Sequence, residues 1–166
     1  MSSDIGEQIV GAYLKIINKC DIVTYGIRLP GGGIRGLGEL DVVGFDLKND
    51  TVYLCEVTTH IRGILYGNGN EDTIKRIKAK FKRQKRYYKE VLSKNFQNVH
   101  YMFWSPVVPN GKVTRELSKI KELELVINKE YTSCINELRE EAKKHTNSYE
   151  NDAFRMLQIL EHLKKT

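Results

Sequence analysis

Three stretches of the sequence predict an α/β fold. Residues 40–45 and 52–57 are short runs of Leu, Val and Phe on either side of the polar Lys48-Asn49-Asp50, the signature of a β-hairpin. Residues 71–94 place apolar side chains at spacings of three and four, which predicts a long amphipathic helix. Residues 99–108, VHYMFWSPVV, read as a buried strand that ends at Pro106. Hairpin, helix and buried strand in that order imply one sheet covered by helices.

Taken from the start, Ser3 or Asp4 caps a first helix running to about Lys19, with Glu7 in its first turn. Its expected apolar face is Ile5, Ile9, Ala12, Tyr13, Ile16 and Ile17. Glu7 falls at the edge of that face, beside Val10, Gly11 and Leu14, where it either favours the helix N-terminus or belongs to a site. Residues 21–29 read as a strand. In the glycine-rich loop that follows, Gly31, Gly33 and Gly36 match GxGxxG, but a strand comes next. A dinucleotide loop must open a helix, so that reading is excluded. The loop, with Arg35, is either a flexible approach to a nucleic-acid backbone or a plain connector.

The hairpin follows. Centred between Lys48 and Asn49, it pairs Val43 with Leu54 and Phe45 with Val52. The same register sets Asp41 opposite Glu56 and puts Thr58 on the face of Glu56. Paired Cβ atoms lie about 4.5–5.5 Å apart. Two carboxylates that close repel unless a proton or a cation lies between them. Such acids at a strand end are either simply solvated or, embedded among Leu, Val and Phe, held by a partner or a metal.

Residues 63–70 form a Gly/Asn loop before the long helix. Ile74, Ile77, Phe81, Gln84, Tyr88 and Val91 or Leu92 share its buried stripe, and the amide of Gln84 needs hydrogen-bond partners there. Lys75, Arg76, Lys78, Lys80, Lys82, Arg83, Lys85, Arg86 and Lys89 cover the rest of the helix. That density points to phosphate binding rather than to a solvated face alone. Beyond the buried strand, Thr114 caps a short helix and residues 123–127 form an edge strand. Two amphipathic helices close the chain, with the stripes Tyr131, Ile135, Leu138, Ala142 and Phe154, Leu157, Leu160, Leu163. Core packing is expected for both, and the last stripe leaves a homodimer contact open.

The 166 residues suit one domain, and a net charge of +6 favours polyanionic partners. No apolar run approaches the roughly 18 residues of a membrane span. Residues 1–4 carry no basic-then-apolar leader, and Cys20, Cys55 and Cys134 form no disulfide framework or CxxC pair. The expected setting is intracellular and cytoplasmic, with ordinary buried thiols.

Glu7 in GEQIV, Asp41 in GELDVVG, Glu56 in CEVTT and the Gln84…Tyr88 pair in QKRYY, in that order, resemble the PD-(D/E)xK nuclease superfamily. The last pair is similar to the Q-x-x-x-Y element of its RecB-like members. The resemblance covers about residues 5–105 and extends to archaeal Holliday-junction-resolvase-like proteins. It implies a restriction-endonuclease-like domain: a central mixed sheet flanked by helices in an αβββαβ core, about residues 4–108, with two extra C-terminal helices in an extension over about 114–166. It implies Mg²⁺, with Mn²⁺ as substitute, on Asp41, Glu56 and the Val57 carbonyl, with Glu7 holding a second metal or its water.

One position departs from the pattern. The family reads Glu-x-Lys, and Thr58 stands at the lysine position, where it can hydrogen-bond a water but brings no charge. Lys80, one helical turn before Gln84, is the first candidate for the missing cation, with Lys85 and His60 behind it. Catalytic roles then fall to Glu7, Asp41, Glu56, Thr58, Lys80 and Gln84. Arg35, Lys75, Lys78, Lys82, Arg83, Lys85 and Arg86 would bind the nucleic-acid backbone. The expected function is a metal-dependent DNA endonuclease, structure-specific or directed by a protein partner, with RNA not excluded. The rivals are a non-catalytic nucleic-acid-binding module and an assembly protein whose basic helix meets an acidic partner.

Overall fold

The computed structural model describes residues 3–28, 39–63 and 66–163. Its elements are α1 (Ile5–Ile16), β1 (Ile22–Arg28), β2 (Glu39–Asp46), β3 (Thr51–Val57), α2 (Asn70–Tyr87), β4 (Asn98–Ser105), α3 (Lys112–Leu117), β5 (Leu123–Ile127), α4 (Lys129–Lys144) and α5 (Asp152–Leu163). The glycine-rich loop with Arg35 lies outside the described residues.

The hairpin takes the expected register: Val43 faces Leu54 and Phe45 faces Val52. β1 joins β2 antiparallel, β4 joins β3 parallel, and β5 joins β4 parallel. The result is a five-stranded mixed sheet in the order β1-β2-β3-β4-β5, with β5 at an edge. Parallel neighbours need a crossover, and α2 and α3 supply the two required. One face of the sheet packs Leu54, Val43 and Phe103 against Ile74 and Ile77 of α2 and Val113 and Leu117 of α3. The other packs Val42, Cys55, Met102 and Trp104 against Val10 and Leu14 of α1 and Tyr131 and Cys134 of α4. Helix α5 rests on α1 and α4 through Phe154, Ala12, Leu138 and Ala142. All three cysteines are free and buried. Among the described residues no helix is long and apolar enough to cross a membrane.

Four local expectations are corrected. Helix α1 ends at Ile16, and it is buried on two sides: Val10 and Leu14 face the sheet while Ala12 and Ile16 face the other helices. Ile5 is exposed. Glu7, at helical spacing from Val10 and Leu14, thereby shares the sheet-facing stripe rather than its edge. Helix α2 stops at Tyr87 and passes into a π-helical turn, Tyr88–Leu92, closed by the Ser93 N–H donating to the Tyr88 carbonyl at 2.8 Å. That extra residue rotates Leu92 inward and Val91 outward. Thr114 is not the cap of α3: Gly111 holds that place, and the Thr114 hydroxyl accepts its N–H at 3.1 Å. Helix α5 buries Ala153, Phe154, Gln158 and Glu161 and turns Leu160 and Leu163 of the expected stripe to solvent. The cause is polar: the Gln158 amide donates to the carbonyls of His145 and Asn147, both at 2.9 Å, and Glu161 accepts from Arg139 at 2.6 Å.

Candidate active site

Strands β2 and β3 stay paired from Asp46–Thr51 to Val42–Cys55, and one residue further on stand Asp41 and Glu56. Both share a face with Val43 and Leu54, so they lie under α2. Gln84 fixes the helix there. Its amide nitrogen donates to the Leu54 carbonyl at 2.8 Å and the Met102 carbonyl at 3.2 Å, tying α2 to two neighbouring strands. Lys80, one turn earlier, then reaches the acids. Its Nζ lies 2.6 Å from Glu56 Oε2 and 3.5 Å from Asp41 Oδ2. Arg83 Nη2 stands 3.5 Å from Glu56 Oε1. Two carboxylates thus meet two cations at the end of an apolar hairpin.

Burial governs the electrostatics. Glu56 is 1 % exposed. Desolvation, with the Asp41 charge behind it, pushes its carboxyl up to about 7, while Lys80 and Arg83 pull it back. For Lys80, desolvation works against the charged form, but Glu56 and Asp41 outweigh it and raise the ammonium above its ordinary value. The lysine therefore stays charged at neutral pH. Burial also raises Glu7, and the charges of Asp41 and Glu39 add to this. Gly6 makes that approach feasible, because a Cβ there would stand 2.1 Å from Thr59 Cγ2, just past the end of β3.

The remaining predicted residues divide. Asp41 Oδ2 accepts the Val57 N–H at 2.7 Å, so the Val57 peptide borders the acids. Thr58 is buried and its N–H donates to the Trp104 carbonyl at 3.0 Å. Glu7 Oε2 accepts the Asp4 N–H at 3.2 Å, closing a capping box at the start of α1. Arg83 is not on the outer basic face; it turns inward to Glu56. Lys85 is not at the acids either, since it pairs with Glu122. Strand β3 ends at Val57, so His60 leaves the face of Glu56 and stands edge-on to Tyr66 with centroids 6.0 Å apart. Lys75, Lys78, Lys82 and Arg86 are exposed, and Arg86 pairs with Glu90. Sequence reasoning missed Glu39, whose charge reaches Glu7, and the inward turn of Arg83. Spacing could have found the second, because Arg83 follows Lys80 by three residues.

Among the described residues no group of three or more His, Cys, Asp or Glu side chains converges as a metal cage. Asp41 and Glu56 nevertheless offer hard oxygen donors drawn to one cation. Mg²⁺ is commonly held by one or two carboxylates completed by water and substrate phosphate, so the pair suits it. No family model, curated protein or solved structure matches this chain.

Proposed function

We propose that this chain is a divalent-metal-dependent endonuclease that hydrolyses DNA phosphodiester bonds, on a restriction-endonuclease-like version of the α/β fold. The observation that carries the reading is the Lys80 ammonium between Glu56 and Asp41. It supplies, from α2, the cation that Thr58 does not. The order α-β-β-β-α-β and the mixed sheet agree with the resemblance to the PD-(D/E)xK superfamily.

Asp41, Glu56 and the Val57 carbonyl would hold Mg²⁺ or Mn²⁺, which supplies a bound water of lowered pKa and screens charge on the attacked phosphate. Lys80 keeps its proton and has one more donor direction than its two acids use, so it can donate to a phosphate oxygen as negative charge develops there. The Thr58 hydroxyl can hydrogen-bond the attacking water. Gln84 acts by holding α2, and with it Lys80, at a fixed height over β3. Glu7 adds negative charge at the same strand ends.

The same ammonium also favours the second reading, a binding module without chemistry, because Lys80 already neutralises the acids. Incubation with branched, single-stranded and duplex DNA in Mg²⁺, Mn²⁺ or EDTA separates the two. Cleavage with metal and none in EDTA is expected. Asp41→Ala and Glu56→Ala should each abolish it while DNA affinity stays within a few fold, since phosphate contacts supply most affinity. Cleavage by both variants at the wild-type rate would place the chemistry elsewhere.

A further inference from the structure

The segment leaving the acids carries a cluster to which the reading above gives no task. After β3 the chain runs through His60, Ile61 and Arg62, and Ile61 is 82 % exposed, the most exposed large apolar side chain among the described residues. Tyr66 then returns to the same place. Its ring lies edge-on to His60 and beneath Arg76, whose guanidinium carbon is 4.8 Å from the ring centroid. Arg76 precedes Lys80 by one helical turn, so the ring beneath it lies along the side of α2 that carries Lys80 to the acids.

The ring is held by a fixed loop. The Tyr66 N–H donates to Thr73 Oγ1 at 2.8 Å, and Thr73 is fully buried in the first turn of α2. Asp72 accepts the Asn68 N–H at 2.9 Å, and Gly67 takes a left-handed φ of 60° where a Cβ would stand 2.6 Å from that carboxylate. The inner part of the ring packs on the core, so its remaining surface is presented in one orientation.

We propose that Tyr66, with Arg76 over it and the exposed Ile61 following the His60 that meets its ring, is a stacking site for an unpaired nucleobase next to the acid pair. The inference rests on the nuclease reading and gives it a substrate class: DNA with a single-stranded segment at or beside the cut, such as a flap or a branch, rather than continuous duplex. A base ring can lie on the exposed Arg76 guanidinium and the part of the Tyr66 ring left uncovered, whatever its sequence. Ile61 has the exposure and shape of an apolar wedge at a base step. Arg62 and Arg76 would take the adjoining phosphates.

The test is binding in EDTA, where cleavage does not interfere. Wild type, Tyr66→Leu and Tyr66→Phe are titrated with single-stranded, flapped and blunt duplex DNA carrying 2-aminopurine in the unpaired or corresponding position. Wild type should bind the unpaired forms more tightly and quench the 2-aminopurine. Tyr66→Leu should lose about tenfold in affinity for those forms only, and Tyr66→Phe should keep it. Should Tyr66→Leu bind every form as wild type does, or lose duplex and flap alike, or wild type leave the fluorophore unquenched while binding, the stacking site is overturned and the nuclease reading stands. If wild type binds no DNA form at all, the nuclease reading falls and takes the site with it.

Discussion

Lys80 settles an electrostatic problem that the hairpin creates. Register alone brings Asp41 and Glu56 to one strand end, and one ammonium between them removes the repulsion. That much was legible in the sequence, because the pairing of Val43 with Leu54 fixes where the acids fall, and the helical spacing to Gln84 points Lys80 the same way. The inward turn of Arg83 was less legible, since a run of cations hides which one faces in. Lys80→Met keeps most of the aliphatic stem and removes the charge. It should cost roughly 1–3 kcal/mol in urea denaturation at pH 8, below the 3–5 typical of a fully broken buried pair because Arg83 remains. Cleavage should fall by one to several orders of magnitude with little change in binding. Normal cleavage by Lys80→Met would make this lysine a structural counterion only. Glu56 yields a separate expectation. Its carboxyl titrates near 7 folded against about 4.5 unfolded, so the folded state holds the proton more tightly. Between those pH values unfolding releases a proton, and the Glu56 share of stability falls as pH rises through the window and is level above it. The drop in urea midpoint from pH 5 to pH 8 should therefore be smaller in Glu56→Gln than in wild type. Equal drops in the two proteins would show that burial does not raise Glu56.

Among the elements, α5 departs furthest from what its sequence suggests. A spacing rule selects Phe154, Leu157, Leu160 and Leu163, yet Leu163 is 62 % exposed while Gln158 is 1 % exposed. Periodicity registers apolar content and says nothing of carbonyls that need donors. His145 and Asn147, in the turn after α4, present two, and Gln158 is the side chain that reaches them. The π-helical turn after α2 was hidden for a similar reason: one inserted residue changes the phase without changing composition. Strands β2 to β5 and the first turns of α1 and α2 were readable because turn residues bound the strands and acids, Asp4 and Glu7 in one helix and Glu71 and Asp72 in the other, mark the helix starts. The orientation of α5 has a measurable consequence. Gln158→Leu removes a buried amide that serves two part-buried carbonyls and should cost about 1–2 kcal/mol. Ile159→Lys, on the exposed side, should stay within about 0.5 kcal/mol of wild type. Urea denaturation of the two variants gives the ranking, and the reverse ranking would mean that the apolar side of α5 faces the core.

Across the whole molecule, the excess of 27 Lys and Arg over 21 Asp and Glu is not spread evenly. On α2 the cations sort by partner. Lys80 and Arg83 are spent on Glu56, Lys85 on Glu122 and Arg86 on Glu90. Lys75, Lys78 and Lys82 recur at spacings of three and four and are exposed, forming a stripe on the outer side of α2, turned away from the inward-facing Lys80. A polyanion held by that stripe would lie across the outside of α2, and the stripe would add affinity without touching the acid pair. Reversing all three to Glu should weaken binding to every DNA sequence alike, because phosphate contacts position a duplex without reading it. Each lost contact should flatten the dependence of log K on log salt by about 0.7–0.9, so the triple variant should lose about 2–3 units of slope. Cleavage at saturating DNA should survive, since none of the three touches Asp41, Glu56 or Lys80. Fluorescence anisotropy between 50 and 200 mM salt, on the order of the range over which such contacts dissociate, measures the slope directly. An unchanged slope would mean that the stripe is only solvated and that the DNA runs over another face of the sheet.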